Sequence, residues 1–202
     1  MYSELATTIS SVINTTISEN RKQVVQPLID FIQNKIDHDS DIHLNFICTH
    51  NSRRSQFSQI WADTAARYYN IPVNCYSGGV EVTAFNPRAV ASIQRSGFKI
   101  KYKEQSNPEY HIYTGDNTEP IIAFSKLFDH PMNKTDQFAA VMTCSHADEN
   151  CPFIPGTERR IAVRYDDPKE FDDTPLEATK YDERSMQIAS EMFYVFSKVK
   201  KR

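Results

Sequence analysis

No apolar run in this chain of 202 residues approaches the ~20 consecutive residues needed to cross a bilayer. A membrane partner is therefore not expected. The opening stretch, MYSELATTISS, lacks a basic start followed by an apolar block, so a cytoplasmic location is expected. There is no excess of positive charge either, with 23 Lys and Arg against 26 Asp and Glu. That balance leaves no electrostatic footprint for a polyanion, and nucleic acid is set aside as a partner. No internal repeat or low-complexity tract appears. What is present is a 40% apolar content, enough for one real core, and four cysteines. In a reducing compartment cysteines seldom act as structural staples, so each is a candidate for catalytic or redox use.

The apolar positions of residues 1–37 (Leu5, Ile9, Val12, Ile13, then Val24, Val25, Leu28, Ile29, Ile32, Ile36) fall at helical spacing and predict two amphipathic helices. Leu44–Ile47 reads as a short strand running into a polar loop, followed by a helix marked by Phe57, Ile60, Trp61, Ala65 and Tyr68. Val73–Tyr76 reads as a second strand stopped by Ser77-Gly78-Gly79, and Asn86-Pro87 opens a helix to about Ser96-Gly97. Residues 99–136 break the rhythm around two short runs, His111–Tyr113 and Ile121–Phe124, and predict a hairpin-like insertion or lid. Phe138–Thr143 is a buried strand ending at Cys144, Arg160–Tyr165 a strand ending at Asp166-Asp167-Pro168, and 177–199 a helix. The alternation predicts an α/β fold with an open parallel sheet flanked by helices. Its polar residues gather at the carboxyl ends of the strands, where such sheets build sites. The expected organisation is an N-terminal helical extension, 1–41, and a catalytic domain, 42–202, with its insertion at about 101–136.

Cys48-Thr49-His50-Asn51-Ser52-Arg53-Arg54-Ser55 sets a cysteine six residues before an arginine, between a strand and a helix N-terminus. The backbone N–H groups of Thr49, His50, Asn51, Ser52 and Arg53 can wrap a tetrahedral oxyanion. The helix dipole adds positive potential, and Arg54 offers a planar fork to two oxygens. The same field favours a thiolate at Cys48, a nucleophile that needs no dedicated base. Ser55 is placed to donate to that sulfur. The plainer alternative is a buried cysteine ending a strand beside two surface arginines.

The runs Phe46-Ile47-Cys48-Thr49, Asn51-Ser52 and Arg54-Ser55-Gln56 resemble the phosphate loop of the low-molecular-weight tyrosine phosphatase superfamily, and within it that of the thioredoxin-coupled arsenate reductases. Tyr76-Ser77-Gly78-Gly79 and Asn86-Pro87 resemble the next landmarks. The resemblance spans about residues 42–100 and 137–200 and leaves out the N-terminal helices and the insertion. It implies a general acid at Asp167, in preference to Asp166, although Asp-Pro is also a common turn. Such an acid works best with a raised pKa, and burial beside an anion pushes it that way.

Cys144-Ser145-His146-Ala147-Asp148-Glu149-Asn150-Cys151-Pro152 resembles the cysteine pair of the reductases. This implies that Cys144 and Cys151 regenerate Cys48 through a disulfide relay drained by an external thioredoxin-like thiol reductant, with no bound cofactor. A zinc or structural pair using His146 and Asp148 is the alternative, but metal sites usually have closer cysteine spacing. Cys75, inside a strand, reads as a packed core thiol.

The sequence also departs from the family. His50 stands where relatives usually carry glycine and is expected to tolerate a left-handed backbone facing the substrate. Arg53 stands where many phosphatases carry a second loop cysteine. Gln59 replaces a carboxylate of a potassium site, so no metal is expected. The resulting reading is arsenate reduction through Cys48, Cys144 and Cys151. Hydrolysis of phosphomonoesters through Cys48, Arg54 and Asp167 is the alternative, with Tyr110, His111, Tyr113 and Phe124 shaping a ring pocket. A non-catalytic oxyanion-sensing or partner-binding module is the third reading. The N-terminal helices are expected to bury their stripes against the catalytic body or against a second copy, as a homodimer.

Overall fold

The computed structural model describes residues 1–150 and 153–201. Six helices occur among them: α1 (Ser3–Ile13), α2 (Glu19–Asp37), α3 (Arg54–Tyr68), α4 (Pro87–Arg95), α5 (Ser145–Asn150) and α6 (Glu177–Lys198). Seven strands accompany these among the described residues: β1 (His43–Cys48), β2 (Asn74–Gly79), β3 (Lys99–Lys101), β4 (Tyr110–Tyr113), β5 (Ile121–Ala123), β6 (Phe138–Met142) and β7 (Thr157–Ala162). The main sheet is wholly parallel in the order β2-β1-β6-β7, and β3-β4-β5 form a separate antiparallel sheet. Among the described residues no helix is long and apolar enough to cross a membrane.

The central strands β1 and β6 are buried almost end to end, as expected for parallel strands covered on both faces. The boundaries of β2 and β7 differ most from the sequence reading. β2 continues through Gly78 and Gly79 instead of stopping before them. A Cβ at Gly78 would meet Phe128 Cα at 2.3 Å, and one at Gly79 would meet Asn51 N and Thr49 O, both at 2.8 Å. These glycines serve close backbone approach, the other use of glycine in a strand. β7 spans Thr157–Ala162, shifted earlier at both ends from the Arg160–Tyr165 expected, so the chain leaves the sheet before it reaches Asp167. Its first residues, Thr157-Glu158-Arg159, lie on an edge strand with a solvated face, which leaves no apolar signal to read.

The N-terminal helices cover themselves on the catalytic body. Leu5, Ile9 and Val12 of α1 and Val25, Leu28, Ile29 and Ile32 of α2 belong to the same hydrophobic cluster as Leu44, Phe46, Trp61, Phe193 and Phe196. These stripes are buried on the body apart from Ile13, which stays exposed. Ser18 caps α2 by accepting from Arg21 N at 3.3 Å.

The insertion does more than a lid. After β5 its chain returns along β2, where Gly79 N donates to Lys126 O (2.8 Å) and Phe128 N to Gly79 O (3.0 Å). The buried amides of α3 reach it as well: Gln56 Nε2 donates to Phe124 O at 2.8 Å and Gln59 Nε2 to Ile122 O at 3.1 Å. The insertion therefore forms one wall of the loop that follows β1.

Candidate active site

Cys48 ends β1, and the chain then turns into α3, whose N-cap residue Arg53 makes no side-chain cap. The first N–H groups of α3 are thus left for a ligand. Among the described residues, the backbone N–H groups of His50, Asn51, Ser52 and Arg53 also find no protein acceptor. Such a run of unpaired amides ahead of a helix N-terminus is an anion nest.

The positive φ in this loop belongs to Asn51 (φ 48), not to His50. Asparagine enters the left-handed region at little cost, and here its side chain fixes the loop. Asn51 Nδ2 donates to Ser55 Oγ at 2.8 Å, and Asn51 Oδ1 accepts from Lys126 N at 3.0 Å. His50 instead pairs with Glu81 at 3.2 Å on a half-exposed edge. Ser52 Oγ donates to Ala84 O at 2.7 Å. Cys48 is 3% exposed, and its sulfur lies 3.1 Å from Ser55 Oγ. Since Asn51 already donates to Ser55, the hydroxyl hydrogen is free to point at the sulfur.

Asp167 sits across the loop, fixed by the turn before the short 3-10 helix Pro168–Phe171. Arg53 Nε donates to its Oδ1 at 2.8 Å and Arg54 Nη2 to its Oδ2 at 2.7 Å. Burial alone would push the Asp167 carboxyl up, yet Arg54 and Arg53 outweigh it and hold the group below the usual carboxylate range. The raised value expected of a general acid is therefore absent here, because both arginines that flank the anion nest turn onto the carboxylate. Arg53, expected among the substrate contacts, is one of these clamps. Asp166 points outward to Arg184 at 3.1 Å.

Cys144 leaves β6 beside Cys48. Ile47 pairs with Met142 in the parallel register, and Thr143 N donates to Ile47 O at 2.8 Å. Cys144 is 1% exposed and shares a small apolar cluster with Cys48, Ile47, Met142 and Ala147. Its sulfur accepts from Ala147 N at 3.4 Å and lies 3.6 Å from Thr49 Oγ1. Thr49 also contacts His146 Nδ1 at 3.3 Å. Asp148, considered as a metal ligand, is taken instead by Arg160 at 2.8 Å and Arg164 at 2.5 Å. Among the described residues no cluster of three or more His, Cys, Asp or Glu is placed to hold a metal. Cys151 lies outside the described residues. Cys75 is buried in β2, and that burial pushes its thiol well above the ordinary value, which suits a packing role.

No family model matches the chain. An arsenate reductase of Brevibacillus brevis is 32% identical over 123 residues, which are 61% of this chain and 74% of the relative. An arsenate reductase of Bacillus cereus matches with the same identity and the same shares. The chain belongs to the arsenate reductase family. Among solved structures, a low molecular weight phosphotyrosine phosphatase from Vibrio cholerae O395 superposes with a TM-score of 0.53 at 12% identity, over 77% of this chain and 94% of that one. A low molecular weight protein tyrosine phosphatase from T. tengcongensis gives 0.53 at 12%, over 79% and 100%. At these identities the likeness shows the fold.

Several polar groups of this arsenate reductase family member left no trace in its sequence pattern. Lys126 is 4% exposed, and its ammonium lies 4.7 Å from the centre of the Phe124 ring. Burial lowers it to about 8. Ser125 Oγ donates to His50 O at 2.8 Å. Both residues belong to the insertion, where a polar run reads as loop, and only the fold brings them to the oxyanion loop. Gln59, noted for the carboxylate it replaces, has its amide occupied by Ser77 Oγ (2.6 Å) and Ile122 O.

Proposed function

We propose that the protein reduces arsenate to arsenite, with Cys48 as nucleophile and Cys144 as the first resolving thiol. The observation that carries this reading is the placement of Cys144, buried at the carboxyl end of β6 and in contact with Thr49 of the anion nest. Hydrolysis of a phosphate ester has no use for a second sulfur there.

In this reading the amides of the loop and Arg54 bind the oxyanion. The Cys48 thiolate attacks arsenic, one oxygen leaves as water, and a Cys48–arsenic bond forms. Ser55 supports the thiolate. The Cys144 thiolate then attacks the Cys48 sulfur. The sulfur–arsenic bond breaks with its electron pair passing to arsenic, giving arsenite and a Cys48–Cys144 disulfide. Cys151 attacks Cys144 and frees Cys48, and an external dithiol of thioredoxin type reduces the Cys144–Cys151 pair. The sum is arsenate plus a dithiol giving arsenite, a disulfide and water.

Asp167 supplies the proton for the departing oxygen. When the anion draws Arg54 away, the carboxylate loses a large part of the field that holds its pKa down and meets a negative neighbour, so its proton affinity rises. Asp167→Asn should slow reduction, and hydrolysis of esters with poor leaving groups, by roughly 10²–10⁴. Aryl phosphates with good leaving groups should be nearly unaffected. Equal slowing across leaving groups, measured as a slope of rate against leaving-group pKa, would assign Asp167 to holding Arg53 and Arg54 instead.

Cys48, Ser55, Arg54 and Asp167 together also satisfy the needs of phosphomonoester hydrolysis, and the shared fold supports that as a second activity of the same site. The test is one purified sample assayed for arsenate-dependent oxidation of a thioredoxin-type reductant and for aryl phosphate hydrolysis. Reduction should dominate. Hydrolysis with no arsenate-dependent reductant oxidation would reverse the order.

A further inference from the structure

Arg54 has few protein contacts to set its aim. Nη1 donates to Tyr165 O at 3.2 Å and Nη2 to Asp167 at 2.7 Å, while Nε is buried without a partner among the described residues. The edge formed by Nε and Nη2 is the one that grips two oxygens of an anion side by side. In turning that edge to the anion, Arg54 gives up Asp167. The carbonyl of Tyr165 is then its remaining anchor.

The residue that bears this carbonyl is held from α2. The Glu191 carboxylate on α6 is 1% exposed and accepts from Arg21 Nε at 2.8 Å, Arg21 Nη2 at 2.6 Å and Tyr165 OH at 2.8 Å. Burial, reinforced by Glu191, pushes the Tyr165 phenol well above its ordinary value, which keeps it a donor. Arg21 Nη1 donates to Arg164 O at 3.1 Å, and the guanidinium stacks 5.0 Å from the centre of the Tyr165 ring. Arg21 thus fixes two consecutive residues at the exit of β7 through a carbonyl, a ring face and a shared carboxylate. Stability alone gives little reason for such a set, because a buried ion pair gains little over well-packed apolar side chains.

We propose that Arg21 is a positioning residue for the oxyanion site, acting through Glu191 and Tyr165 to hold Arg54 with its Nε and Nη2 edge toward the bound anion. Helix α2 is on this account a working part of the site. The proposal rests on the reading of Arg54 as an oxyanion ligand.

The test compares wild type, Tyr165→Phe, Arg54→Lys and the double variant Arg21→Met with Glu191→Met, which exchanges the ion pair for apolar packing. Melting temperature, affinity for inorganic phosphate, and kcat and KM for arsenate are read on each. The double variant also takes the acceptor from the buried Tyr165 hydroxyl, so it should melt somewhat below wild type yet stay folded. It should bind phosphate more weakly, with kcat/KM for arsenate down roughly ten- to a hundredfold, as expected when a binding group is misplaced. Tyr165→Phe keeps the carbonyl and the ring, loses only the bond to Glu191, and should shift phosphate affinity in the same direction. Wild-type phosphate affinity and KM in both the double variant and Tyr165→Phe, with Arg54→Lys impaired, would overturn the proposal and leave the site reading intact. Wild-type affinity in Arg54→Lys would overturn both.

Discussion

Cys48→Ser should lose arsenate reduction and aryl phosphate hydrolysis together, each falling to under about 1% of the wild-type rate. The sulfur's polar partner is Ser55 at 3.1 Å, a hydroxyl and not a base. Serine at this position would keep its proton at neutral pH, whereas a thiolate needs no base to become reactive. The substitution is nearly isosteric in a site that is 3% exposed, so folding should survive. Phosphate binding should survive too, because the loop amides and Arg54 remain. Initial rates of both reactions, with phosphate affinity as the control, decide the matter. More than a few per cent of either activity would sink the assignment of Cys48, and loss of phosphate binding would point to a disturbed loop.

Cys144→Ser should separate the two activities. Its thiol takes no part in ester hydrolysis, so aryl phosphate turnover should stay within about twofold of wild type, since a hydroxyl can keep the contact with Thr49. Multiple-turnover arsenate reduction should fall by at least about a hundredfold, because the thiol that takes Cys48 off arsenic in this reading is gone. Coupled oxidation of the external dithiol reads the first quantity against the second. Equal loss of both would mean that Cys144 supports the architecture of the loop, and equal retention would remove it from the mechanism.

The strand, loop and helix that carry Cys48 and Arg54 were legible because their signals are local. Leu44–Ile47 is a compact apolar run, the helix behind it shows its stripe, and the loop's chemistry is contiguous. The two N-terminal helices were legible by periodicity in the same way. What the sequence hid is of another kind. Arg21 and Glu191 meet across 170 positions, and a polar pair at that separation leaves no periodic trace. Asn51 takes the left-handed position in place of its neighbour His50 because its amide alone can tie Ser55 to Lys126. The charge state of Asp167 depends on which way two adjacent arginines turn, which no local pattern records. The insertion reads as a lid because its polar residues suit a loop, whereas the Ser125 hydroxyl and the Lys126 backbone N–H brace the nest through contacts that depend on the finished fold.

The central claim is that arsenic takes its two electrons from the thiols of Cys48 and Cys144, and that the disulfide left behind is moved away from the nucleophile. It is tested most directly by giving the fully reduced wild-type protein arsenate without any external reductant, then measuring released arsenite and mapping disulfides by peptide mass. About one arsenite per chain should appear, with Cys144 and Cys151 joined and the Cys48 and Cys75 thiols free. Arsenite released while Cys144 and Cys151 both remain free thiols would contradict the relay.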